Sequence, residues 1–266
     1  MKIAFIGGGV MAEAMIKGIL GQGVARPKDI TASDINPERL SALSQGYGIK
    51  TSADNRQAME GADVVVLAIK PQNLKEVLDG IRGQAKEQLI LSIVAGASIA
   101  AIAKGLGHNL VVRAMPNTPA QIGEGITVWT ASDEVSKGQK KMAQSILGAL
   151  GKEIYVSDEK YIDIATAVSG SGPAYIFLVI EALVDAAVHI GWPQETAGEL
   201  VLQTVLGAAR LAQETGKQPA ELRKVVTSPG GTTEAALLQL EQGGLRALID
   251  RAVIAAYEKA RILGGK

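Results

Sequence analysis

The sequence predicts an α/β domain followed by an all-helical domain. Over residues 1–157, short runs rich in β-branched residues alternate with amphipathic segments, and after residue 157 only helical periodicity remains. Residues 64–69 are apolar without alternation, which is typical of a central parallel strand covered on both faces. We therefore expect a parallel sheet with helices in residues 1–157 and a helical domain in residues 158–266.

Seven strands and the helices between most of them are predicted in the first domain. The strands are residues 3–6, 30–33, 64–69, 89–94, 111–115, 126–129 and 153–156, and helical segments include 14–20, 38–44, 74–81, 99–105 and 134–150. In the second domain the helices are 159–168, 173–190, 194–215, 220–226, 233–241 and 245–263, several of which have proline or a small polar residue near the start.

The composition excludes several classes of function. The chain has 27 Lys plus Arg and 27 Asp plus Glu, so no large field of one sign is available for a nucleic acid or an anionic membrane. It has no cysteine, which excludes disulfides, a thiolate nucleophile and cysteine-based metal sites. We expect a cytoplasmic protein without nucleic-acid or membrane partners.

Residues 174–192 are apolar over a length that could cross a bilayer. Glu181, Asp185 and His189 interrupt them, and such groups are costly in lipid, so we expect a buried helix of a soluble protein. These three side chains share one helix face, where a metal site is conceivable. A polar stripe is the preferred interpretation, and no metal is expected.

Two C-terminal helical segments carry apolar residues on most of their circumference. Residues 174–190 and 199–212 expose more apolar surface than one neighbouring helix would cover. We predict a homodimer whose C-terminal helices interleave. The alternative, that one helix is central in a monomeric bundle, stays open.

The first glycine loop predicts a dinucleotide site. Gly7 and Gly9 follow directly on an apolar strand, and Ala12 is small where a helix must pack on that strand. A pyrophosphate would then meet the helix N-terminus, as in Rossmann-type domains. A purely structural tight turn is the alternative.

Asp34 lies at the end of the second predicted strand. An acidic side chain there accepts hydrogen bonds from the ribose hydroxyls and repels a 2′-phosphate, which favours NADH. Ser33 and Arg39 nearby could still accommodate a phosphate. Capping of the next helix by Asp34 or Asn36 is the alternative.

Three more strand ends are candidates for the nicotinamide pocket, since ligands of open α/β sheets bind outside the carboxyl ends of the strands. Residues 68–71 and 94–96 offer small side chains, and residues 115–119 form a proline-rich turn. Asn117 in that turn can both donate and accept hydrogen bonds. A rigid turn without a ligand is the alternative.

The second glycine loop, residues 227–234, opens a helix and predicts a pocket for a small anion. Its glycines allow close approach, and the helix start offers unpaired N–H groups to a substrate carboxylate. An ordinary helix capped by threonine is the alternative. Neither His108 nor His189 has a suitably placed serine or cysteine, so a nucleophilic triad is improbable. Hydride transfer to an iminium carbon fits, because a protonated C=N needs little acid–base help.

Five motifs together resemble the pyrroline-5-carboxylate reductase family, in the family's order: residues 5–9, 68–71, 115–119, 169–175 and 227–233. The resemblance implies a Rossmann-type domain and a helical domain that intertwines in a dimer, often assembled into decamers. It also implies reduction of the cyclic imine to L-proline by NAD(P)H, the last step of proline biosynthesis.

The resemblance also implies roles for particular residues. Those assigned to the cofactor are Ile6, Gly7, Gly8, Gly9, Val10, Met11, Asp34, Asn55, Ala68, Ile69, Lys70, Pro71, Val94, Ala95 and Gly96, in addition to Asn117 above. Those assigned to the substrate are Ser228, Gly230, Gly231, Thr232 and Thr233, with Thr233 nearest the imine nitrogen and therefore catalytic, and residues 171–175 lining the same pocket. Asp34 departs from the common pattern of a smaller or neutral residue. The cofactor is therefore NADPH or NADH, with Asp34 favouring NADH.

Two rival functions remain. A related dehydrogenase acting on a 3-hydroxy acid would need a lysine base near residue 173, and the chain has no lysine between Lys160 and Lys217. A nucleotide-sensing protein would need the first glycine loop but not the second.

Overall fold

The computed structural model describes residues 1–264, which form an eight-stranded sheet with covering helices and then a helical region. By internal packing the chain divides into a first unit, Met1–Ser171 with the residues from Ala255 onward, and a second unit, Gly172–Ile254. The predicted fold class is confirmed. The domain boundary at residues 157 and 158 stays a prediction.

The first unit alternates strands and helices along the chain. Its strands are β1 (Ile3–Ile6), β2 (Ile30–Ser33), β3 (Lys50–Ser52), β4 (Val64–Leu67), β5 (Leu89–Ser92), β6 (Val111–Met115), β7 (Gly125–Ala131) and β8 (Gly151–Tyr155). Its helices are α1 (Val10–Gly21), α2 (Pro37–Tyr47), α3 (Asn55–Met59), α4 (Leu74–Ile81), α5 (Ile99–Leu106), α6 (Lys137–Gly148) and α7 (Lys160–Ala165). All seven predicted strands are present, whereas β3 and α3 are too short to leave a periodic signal.

The strands lie in the order β3-β2-β1-β4-β5-β6-β7-β8. From β3 to β6 neighbouring strands are parallel, and β1 pairs with β2 on one side and β4 on the other. The chain order reverses between β1 and β4, so the crevice beyond their carboxyl ends is the place where sheets of this kind bind ligands.

The expectation of an entirely parallel sheet is wrong at β7, which runs antiparallel to β6. Only residues 116–124, which include the short 3₁₀ helix Thr118–Ile122, connect the two strands. A parallel crossover needs a dozen or more residues, so this connection forces the chain to turn back. β8 follows α6 and is parallel to β7.

Two hydrophobic clusters cover the faces of the sheet. Phe5, Val66 and Leu91 point into one cluster with α1, and Ala4, Val65 and Ile90 point into the other with α4 and α5. Successive residues of β1, β4 and β5 thus alternate between two covered faces, which explains their unbroken apolar runs.

A buried ion pair network lies among β6 and the segment that ends in α7. Arg113 is only 2% exposed, and its guanidinium donates to Glu159 at 2.9 Å and to Asp163 at 2.6 Å. Glu159 also accepts the backbone N–H of Ile99 at 2.8 Å. The network therefore joins three segments of the first unit, and nothing in the apolar pattern of residues 111–115 predicted it.

The second unit consists of helices. They are α8 (Gly172–His189), α9 (Gln194–Thr215), α10 (Pro219–Val225), α11 (Thr232–Gln242) and the start of α12 (Leu245–Leu263), whose last residues belong to the first unit. Ala197 and Val201 are the buried hydrophobic residues described within Gly172–Ile254. On α8, by contrast, Phe177 is 62% and Leu178 65% exposed.

The expectation that residues 174–192 form a buried helix is therefore wrong for the single chain, because the second unit has too few elements to cover α8. In the described part of the chain, the run Lys160–His189 is long and apolar enough to cross a membrane by length and composition, and 6% of its apolar window is buried. Helices that a protein partner covers pass the same test, so the run carries only weak evidence for a membrane.

Candidate functional site

The first glycine loop joins β1 to α1 in a conformation that needs glycine. Gly7 has φ +99°, and a Cβ there would stand 2.6 Å from the carbonyl oxygen of Ala68. Gly9 is the N-cap of α1, where no side chain makes a capping hydrogen bond, and a Cβ on Gly9 would meet no atom within 4 Å. The loop thus brings an uncapped helix start against open space, the arrangement that binds a pyrophosphate.

A cavity of about 420 Å³ lies beside this loop, at the carboxyl ends of β1, β2 and β4. It is lined by Ile6, Gly7, Gly9, Ser33, Asp34, Ile35, Asn36, Arg39, Asn55, Ala68, Ile69, Lys70, Asn73 and Val77. Eight of the residues predicted to hold the cofactor are thereby brought together around one cavity, at the point where the strand order reverses.

Asp34 holds the glycine loop in place. One carboxylate oxygen accepts the backbone N–H of Gly8 at 2.7 Å, and the other accepts that of Asn36 at 2.8 Å. Each oxygen keeps a second lone pair, so the side chain can still accept a hydroxyl from the cavity. The helix-capping alternative is confirmed for Asn36, whose side chain accepts from Glu38 and Arg39 at the start of α2.

Ser33 and Asn55 form a second polar contact at the cavity wall. The buried Ser33 hydroxyl lies 2.7 Å from the amide oxygen of Asn55 and 3.2 Å from the carbonyl oxygen of Phe5. Asn55 begins α3, which the sequence pattern did not reveal. The contact fixes the orientation of the Asn55 side chain toward β2.

Arg39 also lines the cavity and contacts the first glycine loop. Its Nε and Nη2 atoms donate to the carbonyl oxygen of Gly8 at 2.9 and 2.7 Å, and Nη2 also donates to Glu13 at 2.7 Å. The hydrogen bond from Arg39 holds the pKa of Glu13 below its ordinary value of 4.5. Partial burial, and then a hydrogen bond to Glu13, raise the pKa of Tyr47.

Eight predicted cofactor residues do not line this cavity. They are Gly8, Val10, Met11, Pro71, Val94, Ala95, Gly96 and Asn117. The amide of Gly8 is bound to Asp34, Val94 is buried in the core, and a Cβ on Gly96 would meet Leu263 at 2.8 Å. The side-chain oxygen of Asn117 accepts the N–H of Ile126 at 2.9 Å, as a rigid structural turn requires. Their cofactor roles stay predictions.

The second glycine loop is an exposed turn ahead of α11. Gly230 has φ +69°, and its N–H donates to the Glu234 carboxylate at 2.6 Å. The N-cap of α11 is Gly231 without a side-chain capping bond, so the alternative of a threonine-capped helix is wrong. A Cβ on Gly231 would stand 2.5 Å from the Ser228 hydroxyl oxygen. The turn already accommodates one carboxylate oxygen.

The sequence did not point to Ile35, Asn73 or Val77, which line the cavity, or to Glu13 and Tyr47, which form hydrogen bonds beside it. Glu13 and Arg39 stand in the first turns of α1 and α2, which start at the same edge of the sheet because both follow parallel strands. Opposite charges in the first turns of neighbouring helices are the signal that could have found this pair. No cluster of three His, Asp or Glu suited to a metal occurs in residues 1–264.

Family models match both parts of the chain. Residues 159–263 match a model described as pyrroline-5-carboxylate reductase dimerisation, and residues 2–96 match one described as NADP oxidoreductase, coenzyme F420-dependent. The match to a dimerisation domain indicates a homo-oligomer.

Relatives match over nearly the entire length. The pyrroline-5-carboxylate reductase of Synechocystis is 42% identical over 100% of this chain and 99% of its own. A solved pyrroline-5-carboxylate reductase from Coxiella burnetii is 44% identical with a TM-score of 0.90, covering 98% of both chains. Pyrroline carboxylate reductase from Plasmodium falciparum, solved with NADP bound, is 30% identical with a TM-score of 0.91 and covers 99% of this chain and 98% of that one. The chain belongs to the pyrroline-5-carboxylate reductase family.

Proposed function

We propose that this protein transfers hydride from NAD(P)H to the imine carbon of 1-pyrroline-5-carboxylate and so forms L-proline, the last step of proline biosynthesis. The observation that carries the proposal is the likeness to the family over the full chain, at 42% identity to one reductase. The matched region includes both glycine loops. The cavity beside the first loop supports the proposal, because a glycine loop and an uncapped helix start border it and suit a dinucleotide.

The cofactor's adenosine end is assigned to Asp34 and Asn55 and its pyrophosphate to the loop from Gly7 to the start of α1. The open space at Gly9 and the uncapped helix start fit a group that approaches the backbone closely. When bound, the reduced nicotinamide supplies the hydride. The strand ends at Lys70, Gly96 and Asn117 are assigned to the nicotinamide side.

The substrate carboxylate is assigned to Ser228, Gly230, Gly231 and Thr232, and the ring nitrogen to the Thr233 hydroxyl. The cyclic iminium already carries its proton on nitrogen, so hydride addition to the iminium carbon yields the secondary amine of proline without a protein acid. The residues then have to orient the ring, bind its carboxylate and exclude water. This explains why no histidine or cysteine is required.

We further propose that the protein is a cytoplasmic homodimer, assembled in turn into a higher homo-oligomer such as a decamer, with no membrane or nucleic-acid partner. The exposed apolar side chains of α8 and α9, among them Phe177, Leu178 and Leu206, support a partner helix surface. The balanced charge of the chain supports the absence of a polyanionic partner.

An assay with both substrates tests the proposal. Purified protein is mixed with NADH and 1-pyrroline-5-carboxylate, and proline is quantified against NADH consumed. We expect one proline for each NADH. Oxidation of a 3-hydroxy acid with NAD⁺ instead would favour the rival dehydrogenase, and nucleotide binding without turnover of either substrate would favour a sensor.

Replacement of Asp34 by serine tests the cofactor assignment. The change removes a carboxylate that would repel a 2′-phosphate, so we expect the kcat/KM ratio of NADPH to NADH to rise about tenfold. NADH affinity should fall as well, because Asp34 also accepts the amides of Gly8 and Asn36. An unchanged ratio would reject Asp34 as the selector.

A further inference from the structure

The end of the cavity assigned to adenosine carries one anionic and one cationic side chain, Asp34 and Arg39. An arginine beside a ribose site is the side chain best suited to a 2′-phosphate, because its planar fork matches phosphate oxygens. Its availability therefore decides how well the site accepts a phosphorylated dinucleotide. In this chain the guanidinium is engaged by neighbours within the first unit.

Three hydrogen bonds hold the Arg39 fork against the glycine loop. Nε and Nη2 share the carbonyl oxygen of Gly8, and Nη2 also reaches Glu13 at 2.7 Å. Tyr47 donates to the other Glu13 oxygen at 3.0 Å. We call Glu13, Arg39 and Tyr47 the clamp. The side chains of Arg39 and Glu13 are 32% and 36% exposed, so solvent only partly screens their interaction.

We infer that Glu13 is a positioning residue that holds Arg39 on the glycine loop and thereby lowers the affinity of this site for a 2′-phosphorylated dinucleotide. The inference rests on the proposed nucleotide site but adds a second selector to Asp34. Glu13 acts in two ways. It keeps the Nε and Nη2 edge of Arg39 turned toward Gly8, and its negative charge offsets the positive charge that a phosphate would meet.

The 2′-hydroxyl of NADH needs no cation, whereas the 2′-phosphate of NADPH carries nearly two negative charges at neutral pH. Release of Arg39 should therefore raise the affinity for NADPH and leave the affinity for NADH almost unchanged. A clamp that only packed α1 against α2 would behave differently, because its loss would loosen the glycine loop and weaken both nucleotides together. The ratio of the two affinities separates these roles.

The experiment measures dissociation constants of NADH and NADPH by fluorescence, without any imine present. Glu13→Gln keeps the size and the hydrogen-bonding oxygen of the side chain but removes its charge. We expect the affinity of NADPH relative to NADH to rise about fivefold, the size of effect of one partly exposed charge. Tyr47→Phe, the matched control, removes a hydrogen bond to Glu13 but no charge, and should change the ratio less than about twofold.

A double-mutant cycle tests whether Glu13 acts through Arg39. In an Arg39→Gln background, Glu13→Gln should change the ratio less than about twofold, because no guanidinium remains to be released and only the direct repulsion between the Glu13 carboxylate and the phosphate is lost. A ratio unaltered by Glu13→Gln in the natural background, or a full effect that persists without Arg39, would overturn the inference. Either result leaves the reductase assay untouched, so the two proposals fail separately.

Discussion

The two units of this chain differ in how much of their own apolar surface they cover. The first unit buries both faces of its sheet, with residues such as Phe5, Val66 and Ile90 fully inaccessible. The second buries two hydrophobic residues, Ala197 and Val201, among those described from Gly172 to Ile254, and exposes Phe177 and Leu178. Two units of similar hydrophobic content therefore differ in whether their apolar side chains are buried or exposed.

The second unit therefore does not form a closed hydrophobic core by itself. A sheet with helices on both faces is closed by its own chain, whereas a few helices cannot hide apolar residues spread around their circumference. The match of residues 159–263 to a dimerisation model agrees with that account. The cavity beside the first glycine loop is lined only by residues of the first unit. A substitution in one unit therefore changes no residue of the other unit.

The largest effect is expected from a charge on the exposed face of α8. Leu178→Asp places a carboxylate where we expect a dry contact with a second copy, and burial of an unpaired charge costs several kcal/mol. Sedimentation should give the mass of a single 27.6 kDa chain, and turnover should fall more than about 100-fold.

Ile122→Asp is the matched control, because Ile122 is 75% exposed in the first unit. It should leave both mass and turnover as they are. An assembly that survives Leu178→Asp would show that this face of α8 does not lie in the contact between copies.

A second large effect is expected at the buried network of the first unit. Arg113→Met leaves Glu159 and Asp163 without their cation, which should cost about 3 kcal/mol of the free energy of unfolding. Urea unfolding is followed by Trp129 fluorescence in a Trp192→Phe background, so that the signal reports the first unit. Lys75→Met removes an exposed ion pair with Asp79 and should leave the midpoint in place. Equal shifts of the urea midpoint in Arg113→Met and Lys75→Met would contradict the expectation that the buried network stabilises the first unit more than the exposed ion pair does.

Two glycine replacements in the first unit separate a loss of stability from a loss of nucleotide binding. Gly9→Ala adds a methyl group in open space, so the protein should keep its stability while NADH affinity falls on the order of 30-fold through a clash with the pyrophosphate. Gly7→Ala forces a Cβ against the Ala68 carbonyl at φ +99°, and should cost about 2 kcal/mol of stability. Thermal unfolding and fluorescence titration measure both. If both variants bound NADH normally, the loop would have no role in nucleotide binding.

The smallest effect is expected at Thr233 of the second unit. Thr233→Ala removes the hydroxyl assigned to the ring nitrogen, and loss of one hydrogen bond should lower kcat about tenfold. Ser33→Ala should have less effect on kcat, because the Ser33 hydroxyl is engaged by Phe5 and Asn55 in the first unit. Steady-state rates at saturating NADH decide the matter, and an unchanged kcat would remove Thr233 from the mechanism.

The sequence was a good guide wherever structure follows from local periodicity. Seven of the eight strands, the glycine turn at Gly7 and the clustering of Asp34 with the 68–70 strand end were predictable, the last because parallel strands share one carboxyl edge. The reversal of β7 was missed because strand direction depends on the length of a connection, not on its composition.

Contacts that depend on tertiary structure were less predictable. The Arg113 network joins residues about 50 positions apart, and the Glu13–Arg39 pair joins two helices. A lone charge in an apolar run gives no indication of its partner. The exposure of α8 was also misjudged, since apolar periodicity records that a face will be covered but not which chain will cover it.

The hydrogen bond from Gly230 to Glu234 has a consequence for selectivity. With 2.6 Å between the nitrogen and the carboxylate oxygen, the turn already holds an acid group of its own. A substrate acid that binds there exchanges one carboxylate contact for another of nearly equal strength, so its charge adds little net affinity. Discrimination among small acids that bind there must then come from contacts with the rest of the molecule.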